Sequence, residues 1–457
     1  MVYNENIMAL IKSMQIDENV PCSGKHTINK SAPFLPFKTR NPERPKFKRL
    51  FLGVTGELIR IINNKELPKD FDVKDYIDDI VSIVECDDED KEYLKEIIKD
   101  SLIDKDGNIN IFHASIFNYI QLTEGKESVG EKEIAKFLYD IIFYNDDVIK
   151  SSFNREESNN LITKLILNNL KGLNDKKETE KIYRDNLKFI TDVAIEDFRF
   201  LTKHTDFLLK NFESLLAFYY FYYVTQLAVK LNKKMNGTYG EPEKLYYLMD
   251  WEKFSKNRKS ELLGYKYIKS ESRNLFININ IIEHLNFLFG VKNFNYEEIN
   301  NLYANLGEEE KKNYIETIKE WINFYRRHFS QDEIELNDGL EDLILKLEKS
   351  LKERIEQATS SRYALSIEEI GNKYFLKTRG GAYGKMLNMT QEMILILTAV
   401  SIKKDKITLK SLFKEYERRG VFLDQYSKDA VLELLVKLNL IDKKSDSGDA
   451  QYVKRIL

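Results

Sequence analysis

The chain has 457 residues, of which 42% are apolar and 12% aromatic. A chain of this length and apolar content can bury two or three cores, which excludes a disordered chain and favours several domains. The formal net charge is −3, and the two cysteines, Cys22 and Cys86, are too few and too far apart for a disulfide scaffold or a CxxC element. We therefore expect a protein of a reducing compartment.

The hydropathy of the sequence does not indicate a membrane protein. Glu5 stands where a secretory signal carries basic residues, and the apolar stretch after it is short, so we expect no export signal and a cytoplasmic location. The most apolar window, residues 215–229, is shorter than the roughly 20 residues that cross a bilayer. We interpret it as a buried core helix. The alternative is an aromatic platform for stacked bases, which usually needs an exposed sheet or groove.

Residues 1–50 are predicted to form a basic, proline-containing N-terminal arm. After a short helix around residues 7–14, prolines between 33 and 45 exclude a long helix. Residues 25–49 hold eight Lys or Arg and one acidic residue, whereas residues 65–106 hold seven lysines and sixteen acidic residues. The arm could lie on nucleic acid or on an acidic protein face, pair with the acidic block, or be a solvated linker. Its candidate DNA-binding residues are Lys38, Arg40, Arg44, Lys46, Lys48 and Arg49.

Residues 51–385 are predicted to form a helical body, because apolar residues recur three and four positions apart. The start of 275–288 stays undecided between strand and helix. The body ends in a basic, glycine-rich hairpin at 374–387. Arg379 and Lys385 near its tip could touch a DNA phosphate, or the tip could be an ordinary turn. A nucleotide-binding P-loop is excluded, since the glycine spacing is one residue short and Met386 follows the lysine.

Residues 386–457 are predicted to form a winged-helix domain of three helices and a β-hairpin wing. Thr390 and Ser427 are the expected N-caps of the first and third helices, and the hairpin turn is expected at 445–449. The third helix is not basic, so it is a poor reader of DNA. Either the wing contacts DNA or the domain docks on a protein, and we expect the domain to fold by itself. The candidate wing residues are Lys443, Lys444, Lys454 and Arg455.

The sequence contains no recognisable catalytic motif. Its five histidines are isolated, and HExxH, GxSxG and GxGxxG are absent. The acidic run 87–90 is better explained by helix capping than by a metal. The triplet 309–311 is formally the ExK of some nucleases, but it stands in a highly charged run where such triplets arise by chance. We expect no catalytic residue, metal or cofactor, although a nuclease site assembled from distant residues stays open.

Four segments resemble the DptG family, also called DndG, the small subunits of phosphorothioation-dependent DNA restriction systems. They are LPFKTRNPERP (35–45), YYLMDWEKFSKNR (246–258), RGGAYGKMLNMTQE (379–392) and the ending, FKEYERRGVFLDQYS (413–427) with KSDSGDAQYVKRIL (444–457). The segments span the chain from arm to terminus, and the ending is the most distinctive.

The periodicity predicts a mainly α-helical chain, and the resemblance implies a non-catalytic subunit that works beside larger ATPase subunits in anti-phage defence. We expect DNA contact, directly or through those partners, and no membrane contact. The family supplies no catalytic residue to carry over. Two alternatives stay open: a stand-alone winged-helix DNA-binding regulator, and a nuclease with an unrecognised metal site.

Overall fold

The fold is mainly helical, as the sequence predicts: 60% of the chain is helix and 7% is strand. The computed structural model describes residues 4–26, 28, 34–38, 40–104, 107, 109–153, 160–170, 172–253, 258–380, 384–443 and 451–457, with the backbone alone at 358 and 443. The described α-helices are, in chain order, α1 (Glu5–Ser13), α2 (Leu52–Ile62), α3 (Val73–Ser82), α4 (Asp88–Leu102), α5 (Ser128–Leu138), α6 (Asp147–Ser152), α7 (Leu161–Asn169), α8 (Lys188–Leu201), α9 (Thr205–Lys233), α10 (Lys259–Leu262), α11 (Tyr265–Ser272), α12 (Leu275–Leu288), α13 (Tyr296–Ala304), α14 (Glu308–His328), α15 (Leu340–Arg354), α16 (Gln357–Ser360), α17 (Arg362–Tyr374), α18 (Gln391–Ser401), α19 (Leu409–Arg418) and α20 (Gln425–Lys437).

Short strands form three small sheets. The strands are β1 (Lys65–Glu66), β2 (Asn174–Asp175), β3 (Leu248–Met249), β4 (Leu376–Arg379), β5 (Gly384–Met389), β6 (Lys406–Thr408), β7 (Ile441–Lys443) and β8 (Gln451–Lys454). Strands β1 and β2 pair antiparallel. Strand β5 lies between β3, which is parallel to it, and the antiparallel β4, while β8 lies between β6 and β7, both antiparallel to it. The chain also has 3₁₀ helices at Ala114–Tyr119, Gly125–Glu127 and Lys234–Asn236, and a π-helical turn at Tyr139–Phe143.

Helix α9 lies at the centre of the fold. Residues 215–231 are all buried, because apolar side chains stand on every face of the helix and none can be left in water. Helices α8, α11, α12 and α17 pack around it. Thr225 Oγ1 donates to Phe221 O at 2.7 Å, and Gln226 exchanges two hydrogen bonds with the backbone of Glu243. The predicted core helix is confirmed, and the exposed aromatic platform is wrong.

The membrane and strand alternatives can also be compared with the structure. In the part of the chain that the structure describes, no helix combines the length and the apolar character needed to cross a bilayer. The stretch whose start the sequence left undecided is α12 throughout. Its alternating pattern reflects burial on most faces of a helix, since even Asn278, Asn280 and His284 lie inside the core.

A second, smaller hydrophobic cluster lies beside the main one. It contains residues of α3, α4 and α7, among them Ile80, Ile98 and Ile166. The boundary with the main cluster runs along α2, where Arg60 Nη1 donates to Asn118 O at 3.0 Å and to Ile120 O at 2.6 Å. The β1–β2 pairing connects the chain on either side of this unit.

The N-terminal arm packs on the body instead of projecting into solvent. Ile7, Leu10 and Phe47 are buried in the main cluster. Pro45 lies so close to α5 that a Cβ at Gly130 would stand 2.4 Å from the proline ring. Between α1 and α2, the described residues contain no helix, as the prolines predict. At Phe34, Pro45 and Phe47, which are buried, the solvated-linker interpretation is wrong.

The C-terminal segment has the order α18, β6, α19, α20, β7, β8. Thr390 caps α18 as predicted, because its Oγ1 accepts from Met393 N at 3.1 Å. The predicted cap of the third helix is wrong: Asp424 Oδ1 accepts from Ser427 N at 3.0 Å, so α20 starts earlier. A charged carboxylate forms a stronger hydrogen bond with the helix N-terminus than a hydroxyl does. The turn predicted at 445–449 lies outside the described residues.

A buried ion pair joins this segment to the body. Arg419 Nη2 lies 2.6 Å from Asp197 Oδ1, Nε lies 2.8 Å from Oδ2, and both side chains are fully buried. Tyr219 donates to the same carboxylate, and Glu415 Oε2 accepts from Arg419 Nη1 at 2.8 Å. The residue separation is 222, so no local pattern predicts the contact.

A second polar contact joins the same two parts of the chain. Arg258 is buried and pairs with Asp424 and with Glu252, the latter at 3.1 Å. One hydrophobic cluster includes both Ile7 and Val453. Residues 386–457 therefore share a core with the body, which argues against the expectation that they fold by themselves.

We expect Gly420→Ala to destabilise the protein more than Gly125→Ala. Gly420 has φ +75°, and a Cβ there would stand 2.0 Å from the Tyr222 ring; Gly125 has φ +79° and no described atom within 4 Å of such a Cβ. The left-handed conformation alone should cost about 1 kcal/mol, and the clash should raise the loss at Gly420 to about 3 kcal/mol. Urea unfolding measures both, and equal losses would contradict the close contact.

We expect single substitutions of the buried pair to be much more harmful than a joint apolar replacement. Asp197→Leu or Arg419→Met should each lower the free energy of unfolding by about 3–5 kcal/mol, because each leaves the other charge buried without its partner. The double variant should recover most of that loss. A double-mutant cycle, measured by urea unfolding, gives the coupling free energy between Asp197 and Arg419. Additive losses would show that the two side chains do not stabilise the contact between the C-terminal segment and the body.

Candidate nucleic-acid interface

The arm cations predicted to bind DNA are mostly paired with carboxylates of the same chain. Lys38 Nζ lies 3.1 Å from Glu133 Oε1. Lys46 Nζ lies 2.6 Å from Glu369 Oε1, and Arg44 Nε lies 3.4 Å from the same oxygen. Arg44 is buried, so its guanidinium is not presented to solvent.

The remaining arm cations are more accessible. Lys48 Nζ lies 3.9 Å from Glu127 Oε1, but its side chain is 71% exposed. Arg40 is exposed, and Arg49 is half-buried with a charge interaction toward Glu131. Arg40 and Lys48 are therefore the arm residues best placed to meet a polyanion.

The carboxylates that pair with Lys38, Lys46 and Lys48 do not belong to the acidic block at 65–106. They stand on α5, on α17 and in the 3₁₀ helix before α5. Chain folding brings these groups to the arm, so proximity in sequence was a poor guide to the pairing. The idea that the two charge blocks pair is wrong for these three lysines.

The hairpin cations are also used within the chain. Strands β4 and β5 form the predicted hairpin, and its tip, residues 381–383, lies outside the described residues. Lys385 pairs with Glu368. Arg379 folds back, with Nη2 donating to Met249 O at 2.9 Å and Nη1 to Glu252 O at 3.3 Å. Both side chains stabilise the hairpin against its neighbours.

Helix α17 brings two of the three predicted cationic patches together. Its adjacent residues Glu368 and Glu369 pair with Lys385 of the hairpin and with Lys46 of the arm. Burial opposes the charged form of Glu368, but hydrogen bonds from Lys385 and Tyr265 outweigh it and lower the pKa of that carboxyl. The arm and the hairpin are therefore held on one helix by charge.

The wing retains exposed cations. Lys454 is exposed, and its Nζ donates to Asn439 O at 3.3 Å. Arg455 Nη1 lies 3.7 Å from Asp405 Oδ1, and the two side chains are 60% and 92% exposed. The backbone of Lys443 lies in β7, while its side chain and all of Lys444 lie outside the described part of the chain. Within the described residues, strand β8 of the predicted wing pairs with β6 as well as with β7, and it packs against α19.

The candidate nuclease residues have structural partners. Gly307 N donates to Glu310 Oε2 at 3.0 Å, and Lys311 Nζ lies 3.1 Å from Glu308 Oε1, so the ExK triplet belongs to the N-terminus of α14. Asp87 caps α4 by accepting from Asp90 N at 2.9 Å, as predicted. Across the described ranges, no group of three or more His, Cys, Asp or Glu could hold a metal ion.

The histidines lie in aromatic surroundings. His284 Nδ1 accepts from Trp321 Nε1 at 3.3 Å, and burial lowers the pKa of its imidazole to about 3. His26 Nδ1 lies 2.9 Å from Tyr325 Oη, and burial, followed by the charges of Arg354 and His328, lowers its pKa. These contacts fit a structural role for both rings.

Sequence reasoning missed the charged contacts between α8 and the C-terminal segment. Lys403 Nζ lies 2.5 Å from Glu196 Oε1, and Arg418 pairs with the other carboxylate oxygen. Burial opposes ionisation, but hydrogen bonds from Arg418 and Lys403 lower the pKa of Glu196 to about 2. No local signal in the sequence could have found a contact between residues so far apart.

No protein-family profile matches the chain, and no curated protein sequence matches it.

We expect Glu196→Gln to lower stability at neutral pH by about 0.5–1 kcal/mol, since this ion pair is partly exposed. The pKa of Glu196 falls from 4.5 to about 2 on folding. Its contribution is therefore complete above about pH 4.5 and is lost as the pH falls toward about 2.

Urea midpoints at about pH 7 and about pH 3 should show the difference between wild type and variant shrinking at the lower pH. Glu335→Gln is the control, because Glu335 is exposed and no ion pair is described for it. A difference that stays constant with pH would contradict the assignment.

Proposed function

We propose that this chain is a non-catalytic subunit of a bacterial phosphorothioation-dependent DNA restriction complex. In this proposal it bridges larger ATPase and nuclease partners and places exposed cations on the DNA backbone. The resemblance to the DptG family is the basis of the proposal. The structural observation that supports it is that resembling segments far apart in the sequence contact each other in the fold.

The central resembling segment packs against two of the other three. Leu248 and Met249 of the central segment pair in parallel with Asn388 and Met389 of the hairpin segment. Tyr247 N, in the central segment, donates to Phe422 O of the ending at 2.9 Å. Segments separated by more than a hundred residues thus form one unit, as expected if the similarity reflects a shared functional part.

Buried polar contacts stabilise this unit. Arg258 of the central segment pairs with Asp424 of the ending, and its Nη2 lies 2.7 Å from Ser427 Oγ. Burial opposes the charged form of Asp424, but hydrogen bonds from Arg258 and the Ser427 backbone lower its pKa. A charge-assisted contact of this kind fixes the orientation of α20 on the body.

The C-terminal segment is proposed to be a winged-helix domain. Its element order, helix, strand, helix, helix, strand, strand, and its antiparallel sheet β6-β8-β7 support this assignment. Apolar side chains are exposed at the third helix: Tyr426 and Val436 of α20 are 67% and 48% accessible, and Leu438, its C-cap, is 42% accessible. An exposed apolar surface on this helix favours docking on a protein, while the cationic wing favours the DNA backbone.

Co-purification with the other proteins of its operon tests the assembly role. Tagged chain expressed with its neighbouring genes should retain larger ATPase partners through size-exclusion chromatography, identified by mass spectrometry. The chain alone should neither hydrolyse ATP nor cut DNA. Turnover that persists after removal of contaminants, or a chain that never associates, would overturn the proposal.

We expect reversal of the wing charges to weaken DNA binding without breaking the assembly. The variant replaces Lys443, Lys444, Lys454 and Arg455 with Glu. Removal of these cations from the phosphates should lower DNA affinity by about tenfold or more at low salt. It should also reduce the slope of log affinity against log salt by about one for each phosphate that is no longer neutralised.

The control reverses four exposed lysines far from the wing in sequence, giving the same change in net charge: Lys99, Lys188, Lys203 and Lys210. DNA binding should survive in this control. If the wing variant instead loses its protein partners, the wing is a protein contact. If it changes neither property, the wing has neither role.

A further inference from the structure

A cavity of about 320 Å³ lies at the boundary between the two hydrophobic clusters. Its walls come from α2, from β1 and the residues after it, from segment 121–124, from α5 and from the residue that follows β2. Small-molecule sites of soluble proteins are concave, have volumes of roughly 300–1,000 Å³ and lie preferentially between packed units. The volume and the position of this cavity both meet that description.

The charged side chains around the cavity are mostly basic. Four lysines line it, at positions 65, 69, 132 and 176, together with Arg60. The acidic residues in its lining are Glu57, Glu66 and Glu124. We call this site the lysine cavity.

The acidic residue that lies deepest is already neutralised. Glu57 and Arg60 are 7% and 3% exposed, and Arg60 Nη2 lies 2.9 Å from Glu57 Oε2. Arg60 also uses Nη1 on two backbone carbonyls and Nε on Glu57. With this buried pair balanced, the four lysines outnumber the two remaining carboxylates, Glu66 and Glu124, so the lining keeps an excess of two positive charges.

The four lysines differ in how far carboxylates of the chain neutralise them. Lys65 Nζ lies 2.5 Å from Asp175, which is 89% exposed, and Lys176 Nζ lies 3.8 Å from Glu57. Among the residues that the structure describes, neither Lys69 nor Lys132 forms an ion pair, although both line the cavity. Ammonium groups that line one cavity and outnumber its carboxylates attract an anion carrying more than one charge.

We propose that the lysine cavity binds a small phosphorylated ligand with at least two negative charges, such as a pyrophosphate group. Lysines recognise phosphate as point charges, whereas planar carboxylates are better matched by the arginine fork, which Arg60 has already committed to the chain. Leu67, Pro68 and Leu122 supply a small apolar wall, and none of the described lining residues is aromatic. Recognition therefore depends on the phosphate and not on a stacked base.

This site is separate from the residues proposed above to meet DNA. Its described lining includes no arm, hairpin or wing cation, and it does not depend on membership of a restriction complex. If reversal of the wing charges has no effect, the proposed ligand of the lysine cavity is still open to test. If the cavity binds no pyrophosphate, the proposed role in a restriction complex is likewise unaffected.

Isothermal titration calorimetry of the full chain with sodium pyrophosphate at low salt tests the proposal. We expect saturable binding by the wild type. Replacing Lys69 and Lys132 with Gln should weaken binding by about tenfold or more, since charge-assisted hydrogen bonds contribute roughly twice as much as neutral ones. The matched control replaces Lys188 and Lys210 with Gln, at exposed sites on other helices. Its affinity should equal that of the wild type.

A parallel titration with a short DNA duplex distinguishes a free phosphate from a DNA phosphate. Pyrophosphate binding that the Lys69/Lys132 variant loses and the control keeps supports the proposal. Absence of saturable pyrophosphate binding overturns it, as does equal binding by the two variants. Duplex binding that falls in the Lys69/Lys132 variant, with no pyrophosphate binding, also overturns it and assigns the lysines to the DNA backbone. Thermal unfolding of each variant verifies that it is folded.

Discussion

Helix α9 has apolar side chains on every face, so it is stable only when protein surrounds it completely. That constraint organises the chain. Helices before it in sequence, such as α8, and helices after it, such as α12 and α17, each cover one side. The C-terminal segment covers another, where Gly420 rests against Tyr222. Removing any one of these covering elements would expose a large aromatic surface to water. Distant parts of the sequence therefore belong to one core, because all of them are needed to bury α9.

The buried polar contacts between residues 386–457 and the helical body affect the orientation of the two parts more than the free energy of unfolding. A buried ion pair gains little over a well-packed apolar pair, because both charges lose their hydration. The hydrogen bonds of such a pair are directional, so they restrict how the two elements that carry it can be oriented. Asp197 accepts two hydrogen bonds from Arg419 and one from Tyr219, and these contacts connect the C-terminal end of α19 with α8 and α9. The Arg258–Asp424 pair does the same for α20.

The distribution of charge has a similar consequence for function. Many cations that look available in the sequence are neutralised by carboxylates that the fold brings to them, and each such pair lowers the local positive potential. Contact with a polyanion through the arm would have to compete with Glu369, Glu133 and Glu127. At the predicted wing and in the lysine cavity, fewer carboxylates of the chain compete with an external anion for the cations. The positive charge that the chain leaves available for other anions is therefore modest.

Local interactions explain which features the sequence predicts. The helical class, the core helix at 215–229, the β4–β5 hairpin and the Thr390 cap depend on residues within a few positions of each other, and the structure confirms them. The Glu348–Lys352 ion pair, at 2.6 Å, is also local, since the two residues stand four positions apart on one helix. Such features are encoded by periodicity, capping and turn chemistry, all of which are visible in a short window.

Tertiary structure alone decided the rest. The cap that Asp424 places on α20 is a local contact, but the Arg258 side chain that pairs with its carboxylate comes from far away in the chain. Which arm cations are neutralised depended on acids of α5 and α17. The lysine cavity exists only because α2, β1 and α5 meet around it. The sequence by itself indicated the helical class, the core helix and the order of the C-terminal elements, and it determined where the charges lie along the chain. Packing decided which groups pair with those charges. An ion pair forms only between groups that are close in space, and the tertiary fold, not the separation in sequence, sets that distance.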